Sequence, residues 1–269
     1  YLENINAHIF VWNRLQSSPQ DCINYIILKN IISSASPNSQ MLFYLADTTR
    51  FPFIFNQAIN TENQHLSSVA MDLVYELCSH CDEEDCENEN SLFQLIFMFL
   101  LNKFNEISQF IIDRHFFTNA KMKAIELLSG LISINDEEVP DSLVDAAGNL
   151  ISQIFDYPIF SKFHCAALNF CSIIFSTGAN IQPILLKYDI KTKIADAFKA
   201  YSKEKQYYGH LLKITEMILE IGSDEQNNEK WESYITNEYT QMKTILDSNY
   251  GGTVPPRLRD QIGFDDRYI

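Results

Sequence analysis

Apolar residues in this chain return every three or four positions, segment after segment, and that period belongs to helices. Leu66, Val69, Leu73 and Leu77 share one helical face, as do Met122, Ile125, Leu128 and Ile132. Leu143, Ala147, Leu150, Ile151 and Ile154 form a third such stripe. Sustained strand-type alternation bounded by Gly or Asn-Gly turns is missing from the sequence. Only eight glycines occur in 269 residues, most at segment ends. The fold class that follows is all-α.

Prolines mark where the helices begin. Pro19, Pro37, Pro52, Pro140, Pro158 and Pro183 each lie just before an apolar stretch. Proline suits a first helical turn because its missing N–H has no intrahelical partner there. Ser18 and Ser36 precede two of these prolines and read as N-caps. The pattern predicts helices near 3–15, 19–34, 38–47, 52–59, 63–79, 91–103, 106–116, 120–134, 141–156, 159–176, 183–201 and 206–221, then a longer polar one over 225–247. Leu92–Leu101 and Phe170–Phe175 are apolar nearly all round, as expected of helices sandwiched between neighbours.

Short connections between helices of this length imply antiparallel hairpins stacked side by side. The expected architecture is an irregular HEAT/armadillo-like helical solenoid over 1–248, because no repeat consensus is legible. A compact helical bundle is the alternative. No composition break marks a second domain. From Asn249 onward, Gly251, Gly252, Pro255 and Pro256 stop any helix, so 249–269 is expected as an extended tail packing its aromatics on the last helices.

A hydrophobic content of 46% is ample for a core, and the net charge is −15. Nucleic acids and anionic membrane surfaces select basic patches, so neither is expected as a partner. No apolar run reaches the roughly 20 residues that a bilayer requires; Leu92–Leu101 is about half that, with Gln94 inside it. No signal-type segment follows Tyr1, which gives the chain the look of a trimmed piece, and a lost upstream signal stays open. Six cysteines, most in or beside apolar stretches, read as reduced thiols of a cytoplasmic or nuclear protein.

Cysteine and histidine spacing raises zinc and then argues against it. Cys78-x2-Cys81-x4-Cys86 offers three thiolates, but tetrahedral zinc needs a fourth N or S ligand. His80 points away from a Cys-x2-Cys chelate, and His65 lies a full helix upstream. The run Asp82-Glu83-Glu84-Asp85 reads as an acidic loop, so no metal is expected. Activated Cys-x-x-Cys thiolates favour helix N-termini, whereas these follow a helix C-terminus. No Gly-x-Ser-x-Gly, Gly-x-Gly-x-x-Gly, phosphate loop or His-Glu-x-x-His string occurs. Adjacent residues on a helix point about 100° apart, so His164 and Cys165 cannot pair as base and nucleophile; the expectation is a buried histidine beside a core cysteine. Neither an enzyme nor a cofactor is expected.

Two positions ask for an explanation. Gly209 interrupts a helical pattern, where glycine costs ~1 kcal/mol relative to alanine; this implies close approach of a backbone or partner, or a helix starting at His210. Trp231 stands among Glu229, Lys230 and Glu232 as a core anchor or a partner contact.

Three strings share an order. Tyr208-Gly209-His210-Leu211-Leu212-Lys213-Ile214 precedes Lys230-Trp231-Glu232, then Asp260-Gln261-Ile262-Gly263-Phe264-Asp265-Asp266. Together they resemble the end of the SAPS domain, found in regulatory subunits of protein phosphatase 6 and its fungal relatives. That family carries a Met-Gly-His-Leu-Thr-Arg-Ile-type string, matched at Gly209, His210, Leu211 and Ile214, with departures at Tyr208, Leu212 and Lys213. It also carries Arg-Trp-Glu-like and Asp-Gln-Phe-Gly-Phe-Asn-Asp-like elements. Ala120–Asp136 and Leu150–Phe175 look like family helices as well; 19–80 is looser, and 81–117 hardly similar. Some inter-helix loops of the family are shortened here. The resemblance implies a non-catalytic subunit that binds a Ser/Thr phosphatase catalytic subunit, with room for a third adaptor subunit, and directs its substrates. A generic helical-repeat adaptor for peptides or cargo is the alternative. Gly209, His210, Leu211, Trp231, Asp260, Gln261, Gly263 and Phe264 are the candidate partner-binding or structural residues.

Overall fold

A computed structural model describes residues 7–36, 39–81, 91–113, 118–134, 138–201, 204–222 and 228–247. Every regular element among them is helical. In order they are α1 (Ala7–Ser17), α2 (Cys22–Ile32), α3 (Gln40–Leu45), α4 (Arg50–Ala58), α5 (Gln64–Ser79), α6 (Leu92–Leu101), α7 (Phe104–Ile112) and α8 (Asn119–Ser133). Then come α9 (Asp141–Asp156), α10 (Ser161–Ser176), α11 (Gln182–Lys187), α12 (Ile190–Lys199), α13 (Tyr208–Ile221), α14 (Glu229–Tyr234) and α15 (Thr240–Asp247), with a π-helical turn Ile235–Tyr239 between the last two. Residues group into two compact units, 1–190 with 203–223, and 191–202 with 224–269.

In the first unit the periodic stripes become the core. Leu66, Ala70, Leu73, Val74 and Leu77 of α5 are fully buried, as are Leu143, Ala147, Ile151 and Ile154 of α9. Burying one such aliphatic side chain stabilises the fold by ~1.5–3 kcal/mol, so these stripes, rather than intrinsic propensity, hold the helices. Helix α5 packs on α2, α4 and α8; α8 packs on α7 and α10; α9 packs on α7, α10 and α11; and α10 packs on α13. Partners are therefore near in sequence. Asp72 of α5 links two of these seams, its carboxylate 3.8 Å from Lys29 of α2 and 2.6 Å from Lys123 of α8.

Several helix starts differ from the sequence reading. Asp21, not Ser18, caps α2, its Oδ1 accepting from the Ile23 N–H at 3.2 Å. Ser39, not Ser36, caps α3, accepting from the Met41 N–H. A cap must stand two or three residues before the free N–H groups, and the helices begin three residues later than the prolines suggest. Pro140 is itself the N-cap residue of α9, and Pro183 sits in the first turn of α11. The expected helix 183–201 is two helices, broken at Asp189, whose φ is +50°. Helix α6 is not sandwiched: Leu95 and Met98 are exposed. No single helix among the described residues is long and apolar enough to cross a membrane; α6 and α7 reach that length only as a pair bent by 61°.

The second unit, among its described residues, pairs α12 from Lys191 onward with the α14–π–α15 segment. Phe198 stacks on Tyr234 with ring centroids 4.9 Å apart, and Trp231 leans on the same tyrosine at 5.5 Å. Asn228 caps α14 by accepting from the Trp231 N–H, and its side-chain amide donates to Thr192. Lys230 and Asp196 form an exposed ion pair at 2.9 Å.

Candidate functional site

The first of the three C-terminal strings is helix α13. Leu211, Ile214, Thr215 and Ile218 recur at helical spacing and are buried, which seats α13 on α10. Buried Thr215 satisfies its hydroxyl by donating to the Leu211 carbonyl one turn back, at 2.8 Å. Gly222, at φ +82°, ends the helix in a conformation that glycine adopts without penalty. Lys213 is exposed and pairs with Glu216 at 2.7 Å.

Gly209 is the second residue of α13 and is exposed; a Cβ built there meets nothing within 4 Å. The expected close approach of backbone is thus not found among the described residues, and the helix starts at Tyr208 rather than His210. The interior cost of glycine is relaxed in a first turn, where N–H groups lack intrahelical partners anyway. The glycine that does serve close packing is Gly148 in α9. A Cβ there would lie 2.6 Å from a ring carbon of Tyr188 and 2.9 Å from Ile184 Cβ. Ala146-Ala147-Gly148 was the available signal: a run of small residues inside an apolar stripe.

Between α10 and α13 lies a cluster of nitrogen and sulfur groups. His164 is fully buried and its Nε2–H donates to the Tyr157 carbonyl at 2.8 Å. Its ring stands edge-to-face with His210, centroids 5.2 Å apart, and its Nδ1 has no hydrogen-bond partner. Cys165 is exposed rather than a core cysteine, and its Sγ lies 3.3 Å from His210 Nε2. Adjacent residues diverge on a helix, so the partner of Cys165 comes from the neighbouring helix and not from His164. Burial lowers the pKa of both histidines from the ordinary value; the Tyr157 carbonyl offsets this for His164, the Gln206 backbone does so for His210, and His210 itself further lowers His164. Both rings are therefore neutral near pH 7.

Leu211, which follows His210 on α13, is fully buried, whereas Trp231 is buried in the second unit, 6% exposed, and anchors α14 there. Asp260, Gln261, Gly263 and Phe264, with the whole expected tail, lie outside the described residues.

Cys78, in the last turn of α5, and Cys81, two residues past its end, line an apolar groove of about 240 Å³ together with Phe93, Ile96, Leu127 and Leu131. Burial pushes both thiols up, Cys81 to about 12, and Cys81 donates to the Leu77 carbonyl. Cys86 lies outside the described residues. His65, thirteen positions before Cys78, stands about 20 Å away along the helix. Among the described residues no three His, Cys, Asp or Glu side chains converge as metal ligands. No protein-family model, curated protein or solved structure significantly matches this chain.

Proposed function

We propose that this chain is a non-catalytic regulatory subunit that binds the catalytic subunit of a protein phosphatase 6-type Ser/Thr phosphatase and directs its substrate choice. The observation that carries this reading is the ordered set of C-terminal strings with SAPS-like spelling. One of them, Gly209 to Ile214, forms a helix that buries Leu211 and Ile214 and leaves Gly209 and Lys213 on the surface. An irregular HEAT/armadillo-like solenoid is the architecture that accompanies it; the sequence-local pairing of α2, α5, α8, α10 and α13 supports that form. In such an array the helices supply surface and the chemistry belongs to the bound subunit. The compartment that fits is cytoplasmic, extending to the nucleus, and a third adaptor subunit is compatible with the same role.

Affinity purification of the chain from lysate tests the proposal. The expected result is stoichiometric enrichment of a Ser/Thr phosphatase catalytic subunit, identified by mass spectrometry. Enrichment of peptides or cargo proteins without any phosphatase would favour the adaptor reading instead.

A further inference from the structure

We infer that Cys165 is a thiol-modification site that exchanges with small anionic disulfides of the glutathione type, with His210 as its proton acceptor. The thiol is exposed on α10, and His210 Nε2 approaches it to 3.3 Å from α13.

His164 fills the space behind His210, edge-to-face at 5.2 Å, and is itself fully buried with Nδ1 unpartnered. Burial lowers the pKa of His210, so the ring is neutral near pH 7 and its Nε2 lone pair can accept from the thiol. Lys162 lies one turn before Cys165 on the same exposed face of α10. It places a positive charge where a tripeptide bearing carboxylates would approach. The other described thiols lack this arrangement. Burial raises the pKa of Cys22, Cys78, Cys81 and Cys171, and thiolate, not thiol, is the nucleophile.

The exchange balances without any further reagent. His210 Nε2 accepts the proton of Cys165 Sγ–H as that sulfur attacks one sulfur of oxidised glutathione. The sulfur–sulfur bond breaks as the protein–glutathione bond forms. The departing glutathione thiolate recovers the proton from His210. Cys165 is oxidised to a mixed disulfide, and half of the glutathione disulfide is reduced to thiol. An adduct at this position stands at the α10–α13 seam, where its bulk bears directly on the packing of both helices.

The test is site-resolved mass spectrometry of the purified chain, incubated with oxidised glutathione near neutral pH. Cys165 is expected to be modified several-fold faster than Cys22, Cys78, Cys81 or Cys171, whose thiols burial holds protonated. It is also expected to react faster in the folded chain than the same cysteine does in urea. His210→Gln should slow modification of Cys165 several-fold while leaving the far-ultraviolet circular dichroism unchanged. Equal rates at Cys165 in folded and unfolded chain would overturn the inference. A rate unaffected by His210→Gln in a folded variant would do the same. If that variant fails to fold, the folded-to-unfolded rate ratio of the parent decides alone.

Discussion

Alanine at position 148 should destabilise this protein, although alanine is ordinarily the better helix former. In the middle of a helix, Gly→Ala gains about 1 kcal/mol. At Gly148 the added Cβ meets a Tyr188 ring carbon at 2.6 Å and Ile184 Cβ at 2.9 Å, both inside van der Waals contact. Neither atom can yield cheaply. Ile184 Cβ is attached to the α11 backbone, and the Tyr188 hydroxyl is anchored by donating to Asp145 Oδ1 at 3.0 Å. Overpacking a filled interior costs ~1–3 kcal/mol, and loosening the tyrosine bond adds ~1 kcal/mol. Set against the propensity gain, the net loss is ~1–3 kcal/mol, or a fall in melting temperature of roughly 2–4 °C per kcal/mol for a chain of this size. Gly130 in α8 is the control, because nothing lies within 4 Å of its added Cβ. Gly130→Ala should stabilise by ~0.5–1 kcal/mol. Urea unfolding followed by circular dichroism reads both. Two shifts of the same sign would refute the claim that α11 is packed against the bare face of α9.

Three further outcomes follow from buried groups. Lys121 is 2% exposed, and its ammonium has no hydrogen-bond partner; burial lowers its pKa to about 8. The unfolded chain thus binds the extra proton between pH 8 and the ordinary lysine range, stability rises with pH through that window, and Lys121→Met should gain ~1–2 kcal/mol at pH 7 and abolish the rise. His164 and His210 have lowered pKa values in the fold, so the unfolded chain takes up more protons in mild acid. Their contribution is complete above the ordinary histidine pKa of ~6.5 and is lost as pH falls below it; the urea midpoint should drop from pH 7.5 to 5.5, and less steeply in His210→Gln. Trp231→Ala should cost ~3–5 kcal/mol of local stability, read as lost amide protection in α12 and α14 with little change in α5 or α8.

Helix identity was legible because burial on one stripe imposes a period, as in α5 and α9. Positions set by contacts between distant segments were not. Nothing in Tyr188-Asp189-Ile190 announces a break, since neither Gly nor Pro is present, yet Asp189 takes a left-handed φ of +50°. Cap choice was misread at Ser18 and Ser36 because proline position was taken as helix position, while Asp21 and Ser39 had the correct offset from the first free N–H groups. Gly209 drew attention as an interruption, yet the packing glycine was Gly148, hidden in a run whose small residues look like ordinary helix formers. The Cys165–His210 contact joins residues 45 positions apart, and only the α10–α13 pairing reveals it. Conversely, a lone indole in a polar helix left two readings of Trp231 open, core anchor or partner contact, and its burial beside Tyr234 fits the first.

The proposed association with a phosphatase catalytic subunit can be read from a binding titration with the two purified proteins. Isothermal calorimetry, with size-exclusion chromatography of the mixture, should give a one-to-one complex with a dissociation constant in the micromolar range or tighter. The chain alone should release no phosphate from a phosphopeptide, and the complex should turn over phosphopeptides with a selectivity that the free catalytic subunit lacks. Absence of any complex at tens of micromolar, or metal-dependent phosphate release by the chain by itself, would contradict the account.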